Sequence, residues 1–179
     1  VEPGKSGFAH FFEHMMFRGT ERYSADAYQE IITRTGARQN AYTTDDYTNY
    51  HITCAKEDLD QVLELEADRF MNLSYSEDDF KTESRAVLGE YNKNSANPLT
   101  KLDDAQRNAA FTTHPYKHTT MGFIKDVEDM PNPSGYSKQF FSRWYRPEKT
   151  TNFVLRDADP GHLFSRAHRY GAGAGRGDP

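Results

Sequence analysis

The chain has 179 residues, an apolar fraction of 36% and a formal net charge of −5. That length suits one domain or a large part of one, and 12 Phe and 11 Tyr supply aromatic area for a core. No cluster of Lys or Arg is present, so nucleic acid is not predicted as a partner. No apolar run approaches the ~20 residues of a membrane-spanning helix. The single cysteine, Cys54, excludes an internal disulfide and a cysteine-rich zinc site.

The periodicity of apolar residues predicts helices and strands in one mixed chain, which is typical of the α+β class. The first predicted helix runs from Gly7 to about Arg18, with Ser6 as its N-cap. Alternating apolar and polar residues predict a β-hairpin over 38–43 and 48–54. Further helices are predicted at 25–35, 59–70, 77–94, 102–111, 134–145 and 160–170, and a further strand at 151–155.

The first predicted helix carries the pattern His-x-x-Glu-His at positions 10, 13 and 14. At about 100° per residue, His10 and His14 lie one turn apart on the same face, near enough to bind one cation. Imidazole nitrogens suit zinc, and catalytic zinc sites combine three protein ligands with a water. Glu13 on the same side is placed to take a proton from that water. The alternative is that this face is only solvated and the histidines are incidental.

A third ligand must come from another element, and the helix predicted at 77–94 offers two carboxylates. Glu83 and Glu90 are seven residues apart and lie within about 20° of each other, beside an apolar stripe that includes Phe80 and Val87. Either glutamate could turn toward a metal, and either could be a solvated surface acid. The spacing alone leaves both options open for both residues.

Residues 4–17, GKSGFAHFFEHMMF, resemble the metal-binding helix of the pitrilysin and insulysin family of zinc metallopeptidases, the inverzincins. In that family a glutamate within an E-x₆-E pattern completes the metal site, and ESRAVLGE at 83–90 fits this pattern. The resemblance extends from residue 1 to about residue 166. It implies the following roles: His10, His14 and Glu90 as ligands of one Zn²⁺ per domain, Glu13 as catalytic base, and Glu83 as the carboxylate that orients the site.

The segment at 36–43, GARQNAYT, resembles the substrate-binding edge strand of the same family. This likeness implies that Asn40 and Ala41 bind a peptide, which adds to the edge through main-chain hydrogen bonds. The family fold implies an antiparallel or mixed sheet with helices packed on one side. Members also need a second homologous half, in the same chain or in a partner subunit, to close the reaction chamber.

The sequence therefore predicts a zinc-dependent metalloendopeptidase domain that hydrolyses peptides or unfolded segments. One alternative is a non-catalytic, chamber-forming subunit of a two-part processing peptidase. Such subunits commonly lack the His-x-x-Glu-His residues, all of which are present here. A module that only binds zinc is a third class, and it is supported by the same ligands alone.

We expect residues 1–170 to form the peptidase domain, without the strands that precede the metal helix in relatives, and 171–179 to form a glycine-rich tail. Both ends are interpreted as cut, since the sequence starts at Val1 with neither an initiator Met nor a signal peptide. The compartment is therefore not assigned. A bacterium-like relative would be periplasmic or cytoplasmic.

Overall fold

The computed structural model describes residues 2–132 and 134–155, together with Gly161 and Ser165. Within these residues the chain forms helices and a two-stranded antiparallel sheet, which confirms the predicted α+β class. The elements are α1 (Phe8–Met15), α2 (Ala25–Arg34), β1 (Arg38–Thr43), β2 (Thr48–Thr53), α3 (Leu59–Asn72), α4 (Glu77–Ser95), α5 (Pro98–Ala110), α6 (Ile124–Asp129) and α7 (Ser134–Trp144). Apart from Gly161 and Ser165, the helix predicted at 160–170 and the tail at 171–179 lie outside the described residues.

The chain forms two compact units and passes between them several times. The first unit comprises the described residues of Val1–Phe17, Ala41–Tyr50 and Tyr75–Gln139, and the second those of Arg18–Asn40, His51–Ser74 and Phe140–Pro179. Helices α1 and α4 both belong to the first unit. None of the helices in the described ranges is both long enough and apolar enough to cross a bilayer.

The core of the first unit is built on the apolar face of α1. Phe8, Phe11, Phe12 and Met15 are all almost completely buried. The ring of Phe11 meets the ring of Phe80 on α4 edge-on, with the centroids 5.0 Å apart. Each such side chain contributes about 1.5–3 kcal/mol when it leaves water. This packing fixes the rotation of α1 about its own axis.

The start of α1 differs from the sequence prediction. Gly7, with φ of +85°, precedes the helix, and Ser6 does not cap it. The Ser6 hydroxyl instead donates to the carboxylate of Asp126 at 2.5 Å and accepts from the backbone N–H of Phe123 at 2.8 Å. The backbone N–H of Ser6 donates to the same carboxylate at 3.0 Å. A long-range tether therefore replaces the local cap, and the helix ends at Met15 rather than near Arg18.

In the second unit, α2 begins and ends where its local signals predict. The Ser24 side chain accepts from the backbone N–H of Ala27, and Gly36 adopts a left-handed φ of +65° after the last turn. Tyr28 and Ile32 from this helix pack with Leu65 of α3 to form the buried cluster of the unit.

The predicted hairpin is also confirmed, as β1 and β2.

Three further differences have identifiable causes. Helix α5 starts one turn earlier than predicted because the Asn97 side chain caps it and Pro98 suits its first turn. Helix α6 was not predicted, since six residues are too few to show a clear period. The strand predicted at 151–155 is wrong: the segment has no strand structure, and Phe153 and Leu155 are 82% and 94% exposed. In the described part of the chain the sheet consists of β1 and β2, and residues 151–155 do not join it, although a strand requires a hydrogen-bonded neighbour.

We predict that Gly122→Ala destabilises the protein by at least about 1–2 kcal/mol. Gly122 has φ of +82°, and a Cβ at this position would lie 2.7 Å from the backbone of Ser6 and Gly7. The substitution therefore strains the contact from which α1 starts. Chemical denaturation of the wild type and the variant measures the difference.

Gly89→Ala is the matched control. Gly89 lies inside α4, and a Cβ there would meet nothing within 4 Å. Replacing glycine by alanine in a helix interior should raise stability by about 0.5–1 kcal/mol. Equal effects of the two substitutions would contradict the proposed role of the Gly122 contact.

Candidate metal centre

The polar face of α1 is not simply solvated. His10 is only 8% exposed, and Glu13 and His14 are half-buried. The two imidazole rings meet edge-on, with their centroids 4.9 Å apart. Burial of Phe11 and Phe12 on one side of this helix therefore presents both histidines on the other side, where α4 carries the carboxylates.

The structure brings Glu90 of α4 to both histidines. Its Oε2 atom lies 3.6 Å from Nε2 of His10 and 3.5 Å from Nε2 of His14. One donor atom from each of these three residues lies within 4.8 Å of the other two. Among the described residues, the partners that form ion pairs with Glu90 are these two histidines.

The spacing of these donor atoms fits zinc. Ligand atoms about 2.0–2.1 Å from a tetrahedral Zn²⁺ lie roughly 3.3–3.4 Å from one another. The two nitrogen–oxygen distances of 3.5 and 3.6 Å are close to that value. Two imidazoles and one carboxylate also match a common donor set of catalytic zinc sites. His10, His14 and Glu90 are therefore the residues able to hold the metal.

Glu83 contacts the other nitrogen of the second histidine. Its Oε2 atom lies 3.2 Å from Nδ1 of His14, and its side chain is 12% exposed. When Nδ1 carries the proton, Nε2 of the same ring keeps a lone pair that can coordinate a metal. The two glutamates that the sequence pattern did not distinguish thus occupy different positions: Glu90 faces both Nε2 atoms, and Glu83 faces one Nδ1.

The surroundings of the two histidines shift their pKa values in opposite directions. Burial lowers the pKa of His10, and the neighbouring His14 lowers it further against the opposing effect of Glu90 and Glu13. The hydrogen bond to Glu83 raises the pKa of His14, with added attraction from the glutamates. Burial therefore favours the neutral form of His10, whereas the contact with Glu83 favours the charged form of His14.

Glu13 is the third carboxylate near the histidines. One of its oxygens, Oε2, accepts a hydrogen bond of 2.6 Å from the Thr43 hydroxyl. Sequence reasoning included Thr43 in the edge-strand motif but gave it no role, because no local pattern links position 43 to position 13. The two side chains meet only because the end of β1 that carries Thr43 packs near α1 in the first unit.

Asn40 and Ala41 lie in β1, where Asn40 is exposed and Ala41 is half-buried. Asn40 belongs to the second unit and Ala41 to the first. Both have backbone groups in a strand, which is the arrangement that strand addition requires. Their role in binding a substrate stays a prediction.

Most of the chain matches a known protein family. The family model described as insulinase, peptidase family M16, matches residues 2–123. The chain belongs to peptidase family M16.

M16 relatives include proteins named as zinc proteases. The chain is 32% identical over 168 residues to the zinc protease PqqE of Helicobacter pylori, covering 93% of this chain and 37% of that protein. It is also 32% identical over 153 residues to insulin-degrading enzyme-like 1, peroxisomal, of Arabidopsis thaliana, covering 84% of this chain and 16% of the relative. The chain thus spans well under half the length of these relatives.

M16 structures share the fold. A protease from Helicobacter pylori superposes with a TM-score of 0.94 at 30% identity, covering all of this chain and 43% of that one. The first half of the periplasmic protease PqqL from Escherichia coli gives a TM-score of 0.83 at 23% identity, covering 99% of this chain and 39% of that one. The second likeness shows the fold alone.

If His10, His14 and Glu90 bind zinc, replacing either histidine with alanine should abolish stoichiometric zinc in the purified protein. Only two of the three protein ligands would remain. Glu83→Gln should weaken zinc affinity by roughly 10–100-fold, because the amide no longer orients the His14 ring. Elemental analysis and competitive chelator titration measure both effects.

Two results would contradict this assignment. Full zinc retention in His10→Ala or His14→Ala would remove the histidines from the site. A Glu83→Gln variant that loses the metal, beside a Glu90→Gln variant that keeps it, would reverse the roles of the two glutamates.

Proposed function

We propose that this chain is the catalytic domain of a zinc-dependent metalloendopeptidase that hydrolyses peptides or unfolded segments. The observation that carries the proposal is the convergence of His10, His14 and Glu90 beside the carboxylate of Glu13. Membership of M16 and similarity to named zinc proteases support the same chemistry. Zn²⁺, one per domain, is the cofactor that we propose.

When bound, the metal would polarise the scissile carbonyl and lower the pKa of the attacking water. His10, His14 and Glu90 would hold it, and Glu83 would keep the His14 ring in the tautomer that leaves Nε2 available. Glu13 accepts the proton of the attacking water and then passes it to the leaving amine.

Substrate binding falls to the edge strand in this proposal. The peptide pairs with β1 at Asn40 and Ala41 through main-chain hydrogen bonds, which recognise extended backbone rather than one side chain. A folded protein does not offer such a strand readily. This explains why we propose flexible peptides or unfolded segments as substrates.

We further propose that the active protein contains a second homologous half, in the same chain or in a partner subunit. The supporting observation is that one structural neighbour is described as the first half of the protease PqqL, together with the 37% of the Helicobacter relative that this chain covers. Hydrolysis requires a closed site that positions the carbonyl and stabilises its developing charge, as well as the metal and the base.

Glu13→Gln tests the catalytic assignment in the full-length protein. The amide keeps the size of the side chain and leaves both histidines in place, but it does not accept a proton. Zinc should stay bound while peptide hydrolysis falls by roughly 10²–10⁴-fold, the usual effect of losing a general base.

The same assay separates the catalytic domain from a non-catalytic subunit. Chelator-sensitive hydrolysis by the wild type and its loss in Glu13→Gln would support the peptidase. Unchanged turnover in Glu13→Gln would refute the base, and absence of turnover in the wild type with zinc bound would favour the chamber-forming subunit.

A further prediction concerns the 179 residues alone. Without a second half we expect negligible cleavage of an unstructured peptide, and we expect association in solution because Leu99, Phe153 and Leu155 are 71%, 82% and 94% exposed. Size-exclusion chromatography and a peptide assay, compared with the full-length protein, measure both. A monomeric chain with the turnover of the full-length protein would show that the second half is dispensable.

A further inference from the structure

The contact between Thr43 and Glu13 has a fixed direction. The Thr43 hydroxyl lies 2.6 Å from Oε2 of Glu13 and 3.1 Å from the hydroxyl of Thr48. An ionised carboxylate only accepts hydrogen bonds, and a hydroxyl has one proton to donate. Thr43 must therefore donate to Glu13, and its remaining lone pair accepts from Thr48. The three side chains form a short chain of hydrogen bonds that ends on the carboxylate.

We propose that Thr43 is a positioning residue for peptide hydrolysis, holding Oε2 of Glu13 so that Oε1 is the oxygen that takes the proton. The inference rests on the proposed function of Glu13 as base. Among the described residues, Oε1 has no hydrogen-bond partner, whereas Oε2 has the short, charge-assisted one. A carboxylate anchored at one oxygen keeps the other at a constant angle to the attacking water.

The Thr43 side chain is suited to this task by its type and its setting. A β-branched side chain in a strand has few χ1 rotamers, so its hydroxyl direction is well defined. The turn that follows is tied down twice within the first unit. Arg107 forms an ion pair with Asp45 at 2.9 Å, and the Tyr116 hydroxyl donates to Asp46 at 2.7 Å. The end of β1 that carries Thr43 is therefore held from α5 and from the 3₁₀ helix Pro115–Lys117 that follows α5.

The alternative is that the Thr43 hydroxyl merely satisfies its own hydrogen-bonding needs. In that case its removal would lower stability, but it would not change kcat once the protein is folded and loaded with zinc. A hydroxyl that orients the base, in contrast, affects kcat specifically. Loss of that hydroxyl should leave zinc binding and substrate binding nearly unchanged, because neither depends on the Thr43 hydroxyl oxygen.

The test uses full-length protein and the variant Thr43→Val, which keeps the shape of the side chain and removes the hydroxyl. We expect kcat to fall roughly 10- to 100-fold, the usual loss for a hydrogen bond to a charged group. KM should change by less than about threefold, and zinc should remain stoichiometric. Thr43→Ser should restore kcat to within about threefold of the wild type, because it restores the donor.

Thr53→Val is the matched control. Thr53 lies in β2, is exposed, and belongs to neither the proposed metal site nor the hydrogen-bond chain. The same substitution at this position should leave kcat, KM and zinc content at wild-type values. If Thr43→Val is not folded, the pair Thr43→Ser and Thr43→Ala differs by the same hydroxyl and replaces it in the comparison.

A second measurement does not depend on activity. In the metal-free protein, Thr43→Val should lower the unfolding temperature in the wild-type background. In a Glu13→Ala background the same substitution should lower it clearly less, because the partner of the hydroxyl is already absent. Equal shifts in both backgrounds would mean that Thr43 and Glu13 are not coupled.

The outcomes separate this inference from the proposed function. A wild-type kcat in Thr43→Val, together with an inactive Glu13→Gln, overturns the role of Thr43 and leaves the peptidase mechanism standing. Equal losses in Thr43→Val and Thr43→Ser also overturn it, since the hydroxyl is then irrelevant. Turnover that persists in Glu13→Gln overturns both proposals.

Discussion

The contact between the apolar face of α1 and Phe80 of α4 is the constraint on which the first unit depends. Four large side chains of one eight-residue helix are almost completely buried, and so the helix has one possible rotation. That rotation points His10 and His14 toward Glu90. The arrangement of His10, His14 and Glu90 is thus a consequence of hydrophobic packing, and the polar contacts refine it.

The two histidines brought together by this packing have opposed electrostatic environments. Burial disfavours a charge on His10, while Glu83 favours one on His14. Metal coordination requires the neutral form of both rings. Local conflict of this kind is typical of functional sites in otherwise consistent folds.

The beginning of α1 and the end of β1 illustrate a common device. Each is fixed by contacts far away in sequence: Ser6 by the carboxylate of Asp126, and the turn after Thr43 by Arg107 and Tyr116. Short elements have weak intrinsic stability and need such tethers. These tethers hold α1, which carries His10, Glu13 and His14, and the end of β1, which carries Thr43, at defined positions in the first unit.

Local sequence by itself determined the elements whose signals are local. The capping box of Ser76 and Asp79, the Ser24 cap and the alternation along β1 and β2 were all predictable, because each depends on residues within a few positions of one another. The same holds for the shared face of His10, Glu13 and His14, since helical periodicity is a property of the chain. Family resemblance added the expectation that Glu90 and Glu83 have different roles.

Only the tertiary structure decided the contacts that join distant positions. Packing decides that Ser6 is a tether rather than a cap. It also decides that Glu90 and Glu83 contact different nitrogen atoms of His14, and that the Thr43 hydroxyl donates to Glu13. The segment at 151–155 shows the converse, since its strand-like composition forms no strand where it has no paired neighbour among the residues that the structure describes. Periodicity depends on residues that are near one another in sequence, whereas hydrogen-bond partners and side chains able to share a metal come together only in the folded structure.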